Sequence, residues 1–213
     1  MLYPDRAVPS IQDEVHAVSS NVEQSVLRVT VAPVAGGELK TEIELRDLAP
    51  GFFWSLYDRK GPGVALDALP LSSGLGAHKW ADRSLLDAAQ AQPPDGVLPL
   101  IVDADGAVLE ASRANVFAVR DGALFTPPLD GRILPGVTRM RALEIAANAG
   151  VETCEIPLRR DELLAAEEVF LTGSVRGIEP VASLDGAPLA GPGPLTRKLA
   201  AELRRAWSGA PVA

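Results

Sequence analysis

Four groups of residues in this chain are of types that could do chemistry together. Lys79 follows the Gly- and Ser-containing stretch Ser72–Gly76 and stands between His78 and Trp80, at the mouth of a helical run. A lysine partly desolvated at a helix start has a lowered pKa, which favours a neutral amine for Schiff-base chemistry. Glu110 is the single acidic side chain in the strand-like run Ala107–Ser112, where it is expected to share a face with Val108 and Ser112. If that face is interior, the carboxylate needs a cationic partner. A protonated pyridine nitrogen would serve, and the carboxylate would keep that ring charged as an electron sink. Leu134–Arg139 (LPGVTR) opens a helix whose first N–H groups, at Gly136, Val137 and Thr138, could hold a phosphate together with the Thr138 hydroxyl. Thr172-Gly173-Ser174, at a strand end, offers a second cluster of hydroxyls and amides. Taken singly, each group has an ordinary reading: a solvated surface lysine, a strand-edge carboxylate facing water, a helix start without a ligand. Taken together, a lysine, a carboxylate and two phosphate-binding turns are the requirements of pyridoxal phosphate.

The elements that must position these residues follow from the pattern around them. Leu98–Val102, Ala107–Ser112 and Asn115–Arg120 read as strands, and Asp105-Gly106 and Asp121-Gly122 are Asp-Gly pairs of the kind that turn hairpins. Pro127-Pro128 and Gly131 interrupt the sheet before the helix that runs to about Ala149. Upstream, Gln24–Pro33 and Leu39–Leu48 are strand-like, the second alternating Thr41, Ile43 and Leu45 with Glu42 and Glu44. Met1–Ser10 is an irregular lead-in, and Ile11–Glu23 could form a short helix. Ala49–Gly76 is looser, with a short strand at Val64–Leu66, and Ser84–Ala91 is helical in composition. Downstream come the strand Val151–Ile156, the short helix Arg160–Ala166, the strands Glu167–Thr172 and Gly177–Leu184, and an amphipathic closing helix, Leu195–Trp207. The mixture is α+β or α/β, and hairpins outnumber crossovers, so a doubly wound nucleotide fold is not expected. No GxGxxG or P-loop occurs.

Composition narrows the function. At 213 residues the chain can bury roughly 70% of its unfolded surface and needs no covalent staples. A net charge of −8 argues against nucleic acid or an anionic membrane as a partner. It leaves a small anionic ligand open, because local donors can hold one. The lone cysteine, Cys154, has no disulfide partner and is expected to be a buried, inert thiol. No apolar run is long enough to span a membrane, and the first residues lack the pattern of a secretory signal, so a cytoplasmic protein is expected.

The motifs themselves resemble a known family. Glu110-Ala-Ser-Arg-Ala-Asn115-Val-Phe117, Thr126-Pro-Pro128, Ile133-Leu-Pro-Gly-Val-Thr-Arg139 and Glu168-Val-Phe-Leu-Thr-Gly-Ser174 with Pro180-Val181 are similar, in order and spacing, to the class IV, fold-type IV pyridoxal-phosphate enzymes. These include branched-chain and D-amino-acid aminotransferases and 4-amino-4-deoxychorismate lyase. The resemblance implies an α+β large domain like that of D-amino-acid aminotransferase, over residues 24–213. The small N-terminal domain would be largely missing, with residues 1–23 as its remnant. It implies pyridoxal 5'-phosphate as cofactor. Lys79 would carry the Schiff base and move the proton, Glu110 would bind the pyridinium nitrogen, and Val137, Thr138 and Ser174 would hold the phosphate. Branched-chain transaminases carry a tyrosine five residues after the lysine, where this chain has Ser84. Lys79-Trp-Ala-Asp82-Arg83 looks more like the pattern of aminodeoxychorismate lyase in folate synthesis, which releases 4-aminobenzoate and pyruvate. An amino-acid aminotransferase is the alternative, and a truncated or degenerate domain without catalysis is a third reading. The family also implies a homodimer, and a synthase as partner or fusion. His78 would help to position the lysine or make an ordinary hydrogen bond.

Overall fold

The computed structural model describes Gln12, Val15 and residues 25–36, 38–47, 63–79, 82, 84–90 and 97–207. Of the expected helix Ile11–Glu23, only Gln12 and Val15 are described, and both are helical. The expected domain division between residues 23 and 24 lies outside the described residues. The chain forms two compact units, Met1–Phe53 and Trp54–Ala213. In the first, β1 (Ser25–Pro33) and β2 (Leu39–Asp47) pair antiparallel, Val29 opposite Ile43. The alternation of Thr41, Ile43 and Leu45 with acidic residues is that of a strand covered on one side.

The second unit holds ten strands and four helices among the described residues. Its elements run β3 (Val64–Pro70), α1 (Ser84–Gln90), β4 (Val97–Val102), β5 (Ala107–Ala111), β6 (Ala114–Arg120), β7 (Ala123–Thr126) and α2 (Val137–Asn148). Then come β8 (Thr153–Glu155), β9 (Leu158–Arg159), α3 (Arg160–Leu164), β10 (Glu168–Gly173), β11 (Gly177–Leu184), β12 (Ala187–Pro188) and α4 (Pro194–Trp207). Strands pair in the order β8-β7-β6-β10-β11-β3-β4-β5-β9, and β5 also pairs with β6. That last pairing closes β6, β10, β11, β3, β4 and β5 into a ring. Closure removes two exposed edges and encloses a core to which all six strands contribute, including Leu66, Leu100, Val108, Val116, Leu171 and Val181.

Two further cores lie outside the ring. Helices α2 and α4 cover one face, with Ala142 and Ala146 of α2 and Leu199 and Leu203 of α4 packing on Phe117, Val119 and Phe170. Phe117 and Phe170 are cross-strand partners stacked at 5.1 Å. The amphipathic reading of the closing helix is matched by the i, i+4 pair Leu199 and Leu203, both fully buried. The third core, Leu86, Ile101, Leu109 and Ile133, is joined by Leu69, Leu71 and Leu75 and underlies the segment that leads to Lys79.

The hairpin signals are realised. Asp121 and Gly122 both have positive φ (49° and 72°), and Arg120 pairs with Ala123, which makes a two-residue type I′ turn. Four strands are longer than expected or additional: β3 runs on to Pro70, and β7, β9 and β12 are new. β9 and β12 are two-residue ladders recruited by their neighbours, too short to leave a pattern in sequence. Cys154 is half-buried rather than buried, because β8 is an end strand paired only to β7; its thiol lies 3.8 Å from the Glu152 carboxylate.

Candidate active site

One cleft gathers every candidate residue. Lys79, Glu110, Val137, Thr138 and Ser174 all line a cavity of about 440 Å³, together with His78, Asn115, Gly136 and Thr172. β5 brings Glu110, the end of β10 brings Thr172 to Ser174, the start of α2 brings Val137 and Thr138, and the segment ahead of α1 brings Lys79.

The face of Glu110 departs from simple alternation. Leu100 pairs with Ala111 and Val102 with Val108, so two steps on β4 match three on β5. This bulge sends both Val108 and Ala111 to the ring interior. Glu110 therefore does not share a face with Val108, as expected from a period of two; it turns to the cleft with Ser112. Glu110 is 5% exposed, and its carboxylate accepts from the Leu134 N–H (3.2 Å) and Asn115 Nδ2 (3.3 Å). No cation stands beside it among the described contacts, so burial pushes its pKa up to about 7, against the pull of the Leu134 N–H. A buried carboxyl held near neutrality by burial is poised to ionise when a positive ring nitrogen arrives.

The start of α2, on the same cleft, is suited to an anion. α2 begins at Val137 after an extended Gly136, and no side chain caps it. The first amides of a helix have no partner within it, and its positive dipole end favours negative charge. The Thr138 and Thr172 hydroxyls are buried and have no hydrogen-bond partner among the described residues. Two orphaned hydroxyls beside an uncapped helix start fit the phosphate of the cofactor that the sequence implies.

Lys79 departs from expectation in one respect. It is exposed, on the irregular segment 71–79 that ends ahead of α1, and so it is not the desolvated lysine of a first helical turn. His78 is half-buried and lines the cleft.

Asn115 ties Glu110 to the segment that leads into α2 and carried no individual role in the sequence reading. Its Nδ2 donates to the Leu134 carbonyl at 2.9 Å as well as toward Glu110. A Cβ on Gly136 would fall 2.2 Å from its Oδ1, so only glycine allows the α2 start to approach this closely. The signal was present in the spacing Glu110–Asn115: directly opposed positions of the β5–β6 hairpin put the two side chains on one face. Arg139, also without a sequence role, is buried and donates to the Pro127 carbonyl (2.8 Å) and Glu155 (2.6 Å), fastening α2 to the end of β7 and to β8.

With this geometry in view, the chain can be placed among known proteins. Residues 81–184 match the family model of the class IV amino-transferases. Over these residues, just under half of the chain, the sequence matches that family, and its large unit has the α+β fold-type IV architecture. The branched-chain-amino-acid aminotransferase of Escherichia coli is 36% identical over 147 residues, 68% of this chain and 46% of that protein. The crystal structure of that organism's branched-chain aminotransferase gives a TM-score of 0.74 at 25% identity, covering 98% of this chain and 73% of the other. The structure of 4-amino-4-deoxychorismate lyase from Pseudomonas aeruginosa gives a TM-score of 0.67 at 31% identity, covering 81% of this chain and 64% of the other. The matched stretches span a third to just under half of the first curated relatives. Lys79 stands immediately ahead of the family match, separated from it by Trp80.

Proposed function

We propose that the protein is a pyridoxal 5'-phosphate enzyme acting as a lyase on 4-amino-4-deoxychorismate, with 4-aminobenzoate and pyruvate as products. The observation that carries the cofactor is the single cleft with Lys79 at its mouth, a buried Glu110 carboxyl, and an uncapped α2 start flanked by the orphaned Thr138 and Thr172 hydroxyls. When bound, pyridoxal phosphate supplies an electron sink conjugated to the substrate amine. The chain's own residues do the rest. The Val137 and Thr138 amides, the Thr138 hydroxyl and Ser174 hold the phosphate. Glu110 holds the pyridine nitrogen in its charged form. Lys79 would hold the cofactor through its side-chain amine and would take the proton from the amine-bearing ring carbon of the substrate. The neighbouring carbon–oxygen bond breaks, the ring becomes aromatic, and the departing enol of pyruvate takes a proton back.

Support for a lyase over a transaminase comes from Lys79-Trp-Ala-Asp82-Arg83 and from Ser84 in place of a tyrosine. Asp82 lines the cleft. The likeness to the Pseudomonas lyase adds weight. The amino-acid aminotransferase reading is favoured by the identity to the Escherichia coli enzyme. Residues 24–213 are taken as the cofactor domain and 1–23 as the tail of the small domain, with a homodimer as the assembly, a synthase as partner or fusion, and the cytoplasm as location.

The test is cofactor capture. The protein is incubated with pyridoxal phosphate, reduced with borohydride, and the adduct mapped by peptide mass. An adduct on Lys79, lost in Lys79→Ala, is expected; a folded protein without it rejects the enzyme reading. Protein loaded with pyridoxal phosphate but not reduced is then assayed for 4-aminobenzoate release and for amino transfer to a 2-oxo acid. Transfer without release would move the assignment to the aminotransferase.

A further inference from the structure

The segment that carries Lys79 is tied down by a set of contacts that the cofactor roles leave unused. Its backbone has positive φ at Ser73, Gly74 and Gly76 (65°, 64° and 77°), a path that needs outside support. The support comes from two loops. The Leu71 N–H donates to the Val102 carbonyl at 2.9 Å, and the Ser73 N–H to Asp103 Oδ1 at 3.0 Å. The Gly76 N–H donates to the Arg132 carbonyl at 3.1 Å. Gly74 lies so close to that carbonyl that a Cβ would stand 2.4 Å from its oxygen.

The two loops are themselves joined by Arg132. Its Nη1 donates to Asp103 Oδ2 at 2.7 Å, while Nε and Nη2 donate to Asp130 Oδ2 at 2.9 and 2.6 Å. Asp103 thus holds the Lys79 segment with one oxygen and Arg132 with the other. Two residues beyond Arg132, the Leu134 N–H donates to Glu110. Ile133, between them, is buried in the core shared with Leu71 and Leu75. The stretch 130–134 therefore touches the lysine segment with one residue and the Glu110 carboxylate with another.

We propose that Arg132, clamped between Asp103 and Asp130, is a positioning residue that fixes the Lys79 segment relative to Glu110, so that amine and carboxylate address the same bound ring. The inference rests on the cofactor reading above and adds a residue to it. A flexible amine on an exposed segment gains from such a tether, because misplacement by an ångström at a reacting group is costly.

The experiment uses the full chain with Arg132→Met, Asp103→Asn and Arg132→Lys. Asp103→Asn can keep an acceptor for Ser73 while placing an NH2 where Arg132 needs an acceptor, which breaks the clamp without truncating the side chain, so it carries the test if Arg132→Met does not fold. Amide exchange is read by NMR in cofactor-free protein. The amides of Ser73 and Gly76 should exchange about tenfold faster in the first two variants, while those of α2 stay unchanged. Pyridoxal phosphate is then added. Borohydride capture on Lys79 should slow by about tenfold and the pH midpoint of the bound cofactor's absorbance should move, with Arg132→Lys recovering part of both. Unchanged exchange at Ser73 and Gly76 in the folded variants overturns the proposal. So does faster exchange with capture rate and absorbance midpoint unmoved, which would leave Arg132 a purely structural tie. An unsubstituted protein that captures nothing on Lys79 sinks the cofactor reading first and this inference with it. Capture by the parent with unaffected variants sinks this inference alone.

Discussion

Glu110 is the residue whose charge state the fold decides. Its carboxyl is 5% exposed and is pushed up to about 7 by burial, from an ordinary 4.5. The folded form therefore binds the proton more tightly than the unfolded chain. By linkage, stability is greatest below the unfolded value and declines as pH rises from about 4.5 through 7. The full effect is on the order of 3 kcal/mol. Asp103 acts in a separate window and with the opposite sign. The Arg132 guanidinium first, then the Ser73 and Ala104 amides, hold its carboxyl down at about 2, from an ordinary 3.8. Its contribution is present above the ordinary value and is lost only as pH falls toward 2. Thermal melts of cofactor-free protein between pH 5 and 8 should show a declining midpoint, and Glu110→Gln should flatten that decline. A variant with the parent's slope would mean that Glu110 does not govern it. Sequence could place this carboxylate in an apolar run but not its environment. That depends on a bulge between Val108 and Ala111, which the residues of β5 do not advertise, and on Asn115 and Leu134 arriving from other elements.

At the scale of the element, two helix starts are held in opposite ways. α4 is capped by a residue far away in sequence: the buried Glu168 carboxylate of β10 accepts from the Leu195 and Thr196 amides at 3.0 and 2.7 Å. Gly193 makes room for it, since a Cβ there would stand 2.3 Å from Glu168 Oε1. Glu168→Ala leaves both amides without their acceptor, and a loss of about 2 kcal/mol in urea unfolding is expected. A change below about 0.5 kcal/mol would show that water replaces the cap. α2 has no such side-chain cap, which is what leaves its amides for a ligand. Gly136→Ala drives a methyl into Asn115 Oδ1, so the helix start must shift away from Glu110. Cofactor retention should fall by about tenfold or more, while the melting midpoint drops by an amount corresponding to about 1–3 kcal/mol. Equal retention at unchanged stability would mean that Asn115 simply swings aside. The helix α2 and its glycine were readable from LPGVTR. The reason for the glycine was not, because Asn115 reaches it across the β5–β6 hairpin.

At the scale of the whole molecule, the site exists because a sheet closes. Glu110 and Asn115 face each other only where β5 pairs with β6, and that pair is the one that completes the ring. The individual strands were legible from alternation and from Asp-Gly turns. The closure was not, because it needs β3 inserted parallel between β11 and β4, far apart in sequence. Long-range parallel pairing leaves no local pattern in either strand. Among the described residues, the three hydrophobic cores lie between Val64 and Leu203, wholly within the unit Trp54–Ala213. That unit carries its own ring, its own helical cover and every described residue of the cleft. It is therefore expected to fold without residues 1–53, as one cooperative transition with calorimetric and van't Hoff enthalpies that agree. Scanning calorimetry of residues 54–213 beside the full chain tests this. A fragment that melts broadly, or only with residues 1–53 supplied in trans, would mean that the ring needs the β1–β2 unit to close. A sharp transition in the fragment, with pyridoxal phosphate still captured on Lys79, would place folding and cofactor attachment in the same closed sheet.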